Sequence, residues 1–200
     1  MWAAQKDVEY AFKVVIVGAG GVGKTCLFNR YCFNSFNMNT SMTVGINFHS
    51  TYLKIQMEDM EYHPPDQEKF VANSIFDMSG QDKFKPLIKK FIDGASGALL
   101  VFDSVSYPSF QQLEYWYEQL KQNTIDNKIP IIVVGSKSDL LENTPKLEHV
   151  NMDLINDFIK ERNLSGFYRT SSLENYNVLE VFKELTNLML KSSKFPATVI

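Results

Sequence analysis

The stretch Gly18-Ala19-Gly20-Gly21-Val22-Gly23-Lys24-Thr25 limits most strongly what this chain can fold into. It follows Phe12-Lys13-Val14-Val15-Ile16-Val17, a β-branched run that reads as a buried strand. It precedes a helical pattern running from Lys24 to about Tyr31. A strand that passes through a glycine-rich loop into a helix gathers backbone N–H groups and the positive end of the helix at one point. That point binds phosphate. Lys24 is expected to reach the β- and γ-phosphates, and the Thr25 hydroxyl to ligate Mg²⁺, an ion that takes hard oxygen ligands shared between protein and nucleotide. A turn that merely packed a helix on a strand would need neither residue. The expected phosphate contacts are therefore Gly18, Gly20, Gly21, Val22, Gly23, Lys24, Thr25 and Cys26. The motif demands a nucleoside triphosphate but leaves the base open.

The rest of the chain fits around this unit. Phe48 to Met57 and Phe70 to Phe76 read as strands. Ala98 to Phe102 and Ile131 to Val134 are continuous apolar runs, as strands covered on both faces by helices must be. Leu113, Trp116, Tyr117 and Leu120 recur at helical spacing, as do Val178, Val181, Phe182, Leu185, Leu188 and Met189. Gly166 to Thr170 is a short strand candidate. Strands alternating with helices predict an α/β fold, an open and mostly parallel sheet with helices on both faces. With 200 residues, a single domain over 12–191 is expected, flanked by an extension at 1–11 and a loose tail at 192–200. Glu58 to Glu68 carries Pro64-Pro65, which forbid ladder pairing, so it is expected to be a long hairpin tip.

Composition excludes some classes. The net charge is −3 with basic residues scattered, so nothing calls for nucleic acid or a polybasic membrane patch. There is no apolar run of about 18 residues. Residue 2 is Trp, so N-myristoylation of this terminus is not expected. Cys26 and Cys32, if on one helix, are about 9 Å apart in rise, beyond the roughly 7 Å a disulfide spans. Two reduced thiols in a cytoplasmic protein are expected.

Two further motifs complete a site. Ser74 to Gln81 contains Asp77-Met78-Ser79-Gly80. An Asp at the C-terminal end of a strand faces the ligand crevice of an open sheet. Asp77 is expected to reach Mg²⁺ through a water, Gly80 to offer its N–H to the γ-phosphate, and Gln81 to orient an attacking water. At the other end, Ile131 to Gly135 runs into Ser136-Lys137-Ser138-Asp139. Guanine presents a ring N–H and an exocyclic amine side by side, and adenine does not. A carboxylate facing that donor pair selects guanine, and Asp139 is the candidate, with the Lys137 stem over the base and Leu140 beside it.

In this order the motifs resemble the G-box series of Ras-superfamily small GTPases, over about Lys13 to Leu190. The resemblance implies a P-loop G domain with a six-stranded sheet. It implies that Thr43, in Met42-Thr43-Val44-Gly45, is the switch I threonine that binds Mg²⁺ and senses the γ-phosphate, acting in hydrolysis with Lys24 and Gln81. It places Phe36 against the guanine, and a fifth box at Ser171, Ser172 and Leu173, with the Ser172 N–H on the guanine carbonyl. Thr43 to Phe48, the switch II segment Asp77 to Phe84, and Leu113 to Trp116 look most like the Rab branch. The expectation is a monomeric molecular switch that binds GTP and GDP with Mg²⁺ and hydrolyses GTP slowly. Its effectors, exchange factor and GTPase-activating protein would bind at the switch regions, in membrane traffic or signalling.

The sequence also departs from the family pattern. Ser136 stands where Asn is usual, so the tie between base loop and phosphate loop is expected to weaken. Leu173 replaces the usual Lys of the fifth box. Ser79 and Met78 replace common Ala and Thr. No Cys follows Cys32, so membrane attachment would need a prenylated tail beyond residue 200 or a partner. A pseudo-GTPase scaffold is the alternative, favoured by Ser136 and the altered switch II and opposed by Gly20, Thr25, Thr43 and Gln81. A small P-loop kinase is disfavoured by Lys137 and Asp139.

Overall fold

The computed structural model describes residues 6–38, 42–57, 68–81, 84–124 and 129–200. Residues 58–67 of the expected hairpin tip lie outside the described residues. Chain order runs β1 (Asp7–Gly18), α1 (Lys24–Phe33), β2 (Ile46–Met57), β3 (Lys69–Met78), α2 (Lys85–Ile92) and β4 (Gly97–Asp103). It continues with α3 (Tyr107–Gln111), α4 (Leu113–Asn123), β5 (Ile131–Ser136), α5 (Met152–Arg162), β6 (Gly166–Arg169), α6 (Val178–Ser192) and β7 (Ala197–Val199).

The strands form one sheet in the order β6-β5-β4-β1-β3-β2-β7. β1 pairs in parallel with β3 and β4, and β4, β5 and β6 continue in parallel. β2 is antiparallel to β3, and β7 antiparallel to β2. Every residue of β4 and β5 is buried, as their unbroken apolar runs require. On one face α1 and α6 pack through Leu27, Phe182, Leu185 and Met189, with the Tyr31 and Phe182 rings stacked at 3.8 Å. On the other face α3, α4 and α5 bring Phe110, Leu113, Trp116, Leu120 and Phe158.

The sheet has seven strands rather than six, and it reaches past the expected limits of 12 and 191. β1 begins at Asp7, since its first residues pair with Lys69 to Ala72 of the long β3. The tail is not loose. Ala197 and Val199 are buried and Thr198 exposed, the alternation of a one-faced strand. Ile55, Gln56 and Met57 pair with it, and Val199 N–H donates to Asn187 Oδ1 at 2.8 Å. Three residues are too few for periodicity to announce such a strand. Helix α5 also lacked a strong signal. Only Ile155 and Phe158 are buried on it, and its start is marked by Asn151, whose side chain accepts from Asp153 N–H at 2.8 Å.

The parallel strands β1, β3, β4, β5 and β6 end on the same side of the sheet. The loops after them therefore converge there, where open α/β sheets bind ligands.

Candidate functional site

The loops after β1, β3, β5 and β6, with Phe36 to Met38 after α1 and Met42 and Thr43 before β2, enclose a cleft of about 390 Å³. The loop after β1 forms its floor. Gly23 has φ +93 and hands the chain to α1, a backbone conformation that side chains with a Cβ rarely adopt. No side chain caps α1 and no acidic residue occupies its first turn. Its leading N–H groups thus face the cleft with their partial positive charge.

Lys24 is 5% exposed. Its Nζ donates to the Gly18 and Ala19 carbonyls at 2.9 and 2.6 Å, which folds the ammonium over the loop. Burial lowers its pKa to about 8, against the pull of the Asp77 carboxylate. A cation short of solvation is well placed to gain from phosphate oxygens.

Three oxygens converge beside it. Thr25 Oγ1 lies 2.5 Å from Thr43 Oγ1 and donates to Asp77 Oδ2 at 2.7 Å. Asn47 Nδ2 donates to the same carboxylate oxygen at 2.9 Å. Asp77 is fully buried, and burial raises its pKa against the opposing effects of Thr25, Asn47 and Lys24. Its other oxygen, Oδ1, is buried with no hydrogen-bond partner. An orphaned carboxylate oxygen beside two hydroxyls is a donor set of hard oxygens, and it fits Mg²⁺.

The loop after β3 closes on the floor. A Cβ at Gly80 would lie 2.4 Å from Ala19 C and Gly20 N, so only glycine lets switch II approach the phosphate loop this closely. Gln81 Nε2 donates to the Thr43 carbonyl at 2.8 Å, and so does Ser79 Oγ, also at 2.8 Å.

At the base end, Ser171 Oγ donates to Asp139 Oδ1 at 2.5 Å, which fixes the carboxylate at the cleft wall. Lys137, with φ 56, pairs its Nζ with Asp103 Oδ2 at 2.7 Å. Ser136 Oγ reaches two carbonyls, Val22 O of the phosphate loop and Phe102 O at 2.8 Å. The tie between base loop and phosphate loop, which the sequence led us to expect to be weakened, is made by this one hydroxyl. Serine keeps the tie, but it has one proton for two acceptors.

The cleft brings together Gly20, Gly21, Gly23, Lys24, Thr25, Cys26, Phe36, Thr43, Gly80, Gln81, Ser136, Lys137, Asp139, Leu140, Ser172 and Leu173. Gly18, Val22, Asp77 and Ser171 stand behind its surface and act through the bonds described above. Sequence reasoning missed Asn47, Asp103 and the bracing role of Arg30. From α1, Arg30 Nε donates to Ser172 O at 2.8 Å and Nη2 to Leu173 O at 3.4 Å, so it holds the fifth box from below. Nothing in sequence spacing joins residues 142 positions apart. Trp116, singled out as Rab-like, is 1% exposed and packs in the core, whereas Phe48 is 56% exposed and lies 4.9 Å from Phe76.

Fold and cleft define a P-loop nucleotide-binding domain with the Asp139 carboxylate in its cleft wall. The Ras family model matches residues 13–191, nearly the whole domain. The chain is 31% identical over 190 residues to Ras-related protein Rab11B of Nicotiana tabacum, covering 95% of this chain and 80% of that protein. It is 33% identical over 184 residues to Ras-related protein RABA1h of Arabidopsis thaliana, covering 92% and 77%. With Ras-related protein rab-11.1 of Caenorhabditis elegans it shares 31% over 192 residues, covering 96% and 83%. The chain belongs to the Ras family, within its Rab branch. It is a GTP-binding switch of membrane traffic that hydrolyses GTP to GDP.

Proposed function

We propose that the residues gathered in the cleft divide the work of the switch as follows. The backbone N–H groups from Gly20 to Cys26, with Lys24, bind the β- and γ-phosphates. Thr25 and Thr43 would hold Mg²⁺ directly and Asp77 through a water. The ion, when bound, neutralises phosphate charge as a Lewis acid. Gln81 orients the attacking water, and Gly80 offers its N–H to the γ-phosphate. Phe36 and the Lys137 stem sandwich the base, Asp139 accepts its two donors, and the Ser172 N–H meets its carbonyl. Loss of the γ-phosphate removes the contacts of the Thr43 hydroxyl and the Gly80 N–H, which is how such loops read nucleotide state.

The observation that carries this reading is the meeting of oxygens from helix α1, the loop before β2 and the end of β3, with Thr25 Oγ1 lying 2.5 Å from Thr43 Oγ1 and 2.7 Å from Asp77 Oδ2. Lys24, Thr43 and Gln81 in the same cleft favour hydrolysis over a mere scaffold.

Regulators and effectors would bind at the switch face, where Met42, Val44 and Phe48 are 65%, 76% and 56% exposed. Among the described residues no helix is long and apolar enough to cross a membrane. Recruitment of a cytoplasmic monomer, through a partner or a prenylated tail, accounts for action at membranes.

Asp139→Ala tests the base assignment. Removing the carboxylate should weaken GTP by at least about 100-fold and leave ATP, already weak, unchanged. Equal GTP affinity in the two proteins would remove Asp139 from the base site.

A further inference from the structure

Ser79 has no part in the scheme above, yet it is 2% exposed and lies where the two switches meet. It makes three links in a small space, and Gln81 adds a fourth. Its N–H donates to the Gly45 carbonyl at 3.0 Å. Its hydroxyl donates to the Thr43 carbonyl at 2.8 Å. The same hydroxyl oxygen accepts from Gln81 N–H at 3.3 Å. Gln81 Nε2 then shares the Thr43 carbonyl, at 2.8 Å. One side chain from the end of β3 thus fastens the loop before β2 and orders the start of switch II.

We propose that Ser79 is a positioning residue, a latch that holds switch I closed through protein–protein bonds. The proposal rests on the reading of Thr43 as the residue that reports the γ-phosphate. The part of Thr43 assigned to metal and phosphate is its hydroxyl, and Ser79 holds its carbonyl. The latch therefore draws nothing from the phosphate, and hydrolysis does not break it. An alanine at position 79 would leave the Ser79 N–H bond to Gly45 and remove both bonds of the hydroxyl. With the serine, closed switch I is favoured in both nucleotide states, and the GDP form keeps part of the closed effector face. The nucleotide then changes that face less than it would without the hydroxyl.

Hydrogen–deuterium exchange of wild type and Ser79→Ala, each loaded with GDP and with a non-hydrolysable GTP analogue in Mg²⁺, reads this directly. In the GDP form the variant should exchange about fivefold faster over residues 43–47 and 79–81, the equilibrium factor of one net hydrogen bond. In the GTP-analogue form the change should stay below about twofold, because phosphate contacts then hold Thr43 as well. Amides of β4 serve as the control for an intact fold. Equal exchange of the two GDP forms would overturn the latch. So would an equal rise in both nucleotide states, the mark of a merely structural serine. If neither protein retained guanine nucleotide, the nucleotide assignment would fail. Wild type and variant would then be compared nucleotide-free, where faster exchange in the variant upholds the latch and equal exchange refutes it.

Discussion

Replacing Ser136 by alanine removes a single hydroxyl whose position links the two ends of the nucleotide site. Ser136 is 4% exposed, and its Oγ serves Val22 O and Phe102 O. Val22 belongs to the phosphate loop, and Ser136 opens the base loop. Without the hydroxyl, the Val22 carbonyl stays buried and loses its donor. An unsatisfied buried carbonyl costs about 1–3 kcal/mol. Part of that cost is relieved when the phosphate loop shifts, and the bound nucleotide loses about 1–2 kcal/mol of preorganised contact. That corresponds to GDP release roughly 5- to 30-fold faster. Release of fluorescently labelled GDP, chased with excess unlabelled GDP at saturating Mg²⁺, measures the rate, and a thermal melt checks the fold. A release rate within twofold of wild type, with the variant folded, would refute the claim that this serine ties the loops together.

Two further outcomes follow from other parts of the molecule. Deleting residues 196–200 removes β7, with buried Ala197 and Val199, and should cost about 2–3 kcal/mol of stability, about one buried valine side chain. Because β7 pairs with Ile55 to Met57, at the end of β2 away from the cleft, GDP release should stay within twofold, and a larger change would contradict the separation of the two ends. The Cys32 thiol is pushed up to about 12, by burial first and by the Asp77 charge second. Peptide mass spectrometry after iodoacetamide treatment at pH 8 should find it alkylated on the order of 10³-fold more slowly than an unhindered thiol, and labelling at the ordinary rate would contradict its burial.

The sheet and the site were legible to different depths, for physical reasons. β4 and β5 announced themselves because strands covered on both faces need unbroken apolar runs. The phosphate loop did so because a strand–glycine–helix junction has few other uses. The Thr25, Thr43 and Asp77 cluster rested partly on family resemblance, since a lone Thr in a loop has no periodic signature. β7 escaped because it is three residues long and is stabilised by pairing with β2, a partner far away in sequence. Arg30 and Asn47 escaped for the same reason, since their partners lie 142 and 30 residues away. In the sequence, Ser136 shows only a shorter side chain with a single donor. The close approach of Val22 to the end of β5, which lets a short side chain reach, exists only in the folded chain.

The switch works only if guanine nucleotide is held in this cleft and hydrolysed there. The most direct test denatures the purified protein, identifies the released nucleotide by ion-exchange chromatography, and follows phosphate release from GTP and from ATP with Mg²⁺ for wild type and Gln81→Leu. The structure leads us to expect near-stoichiometric guanine nucleotide and slow hydrolysis of GTP but not ATP, lost in Gln81→Leu while nucleotide binding persists. A protein that carries no guanine nucleotide, and releases phosphate from neither or equally from both, would contradict it.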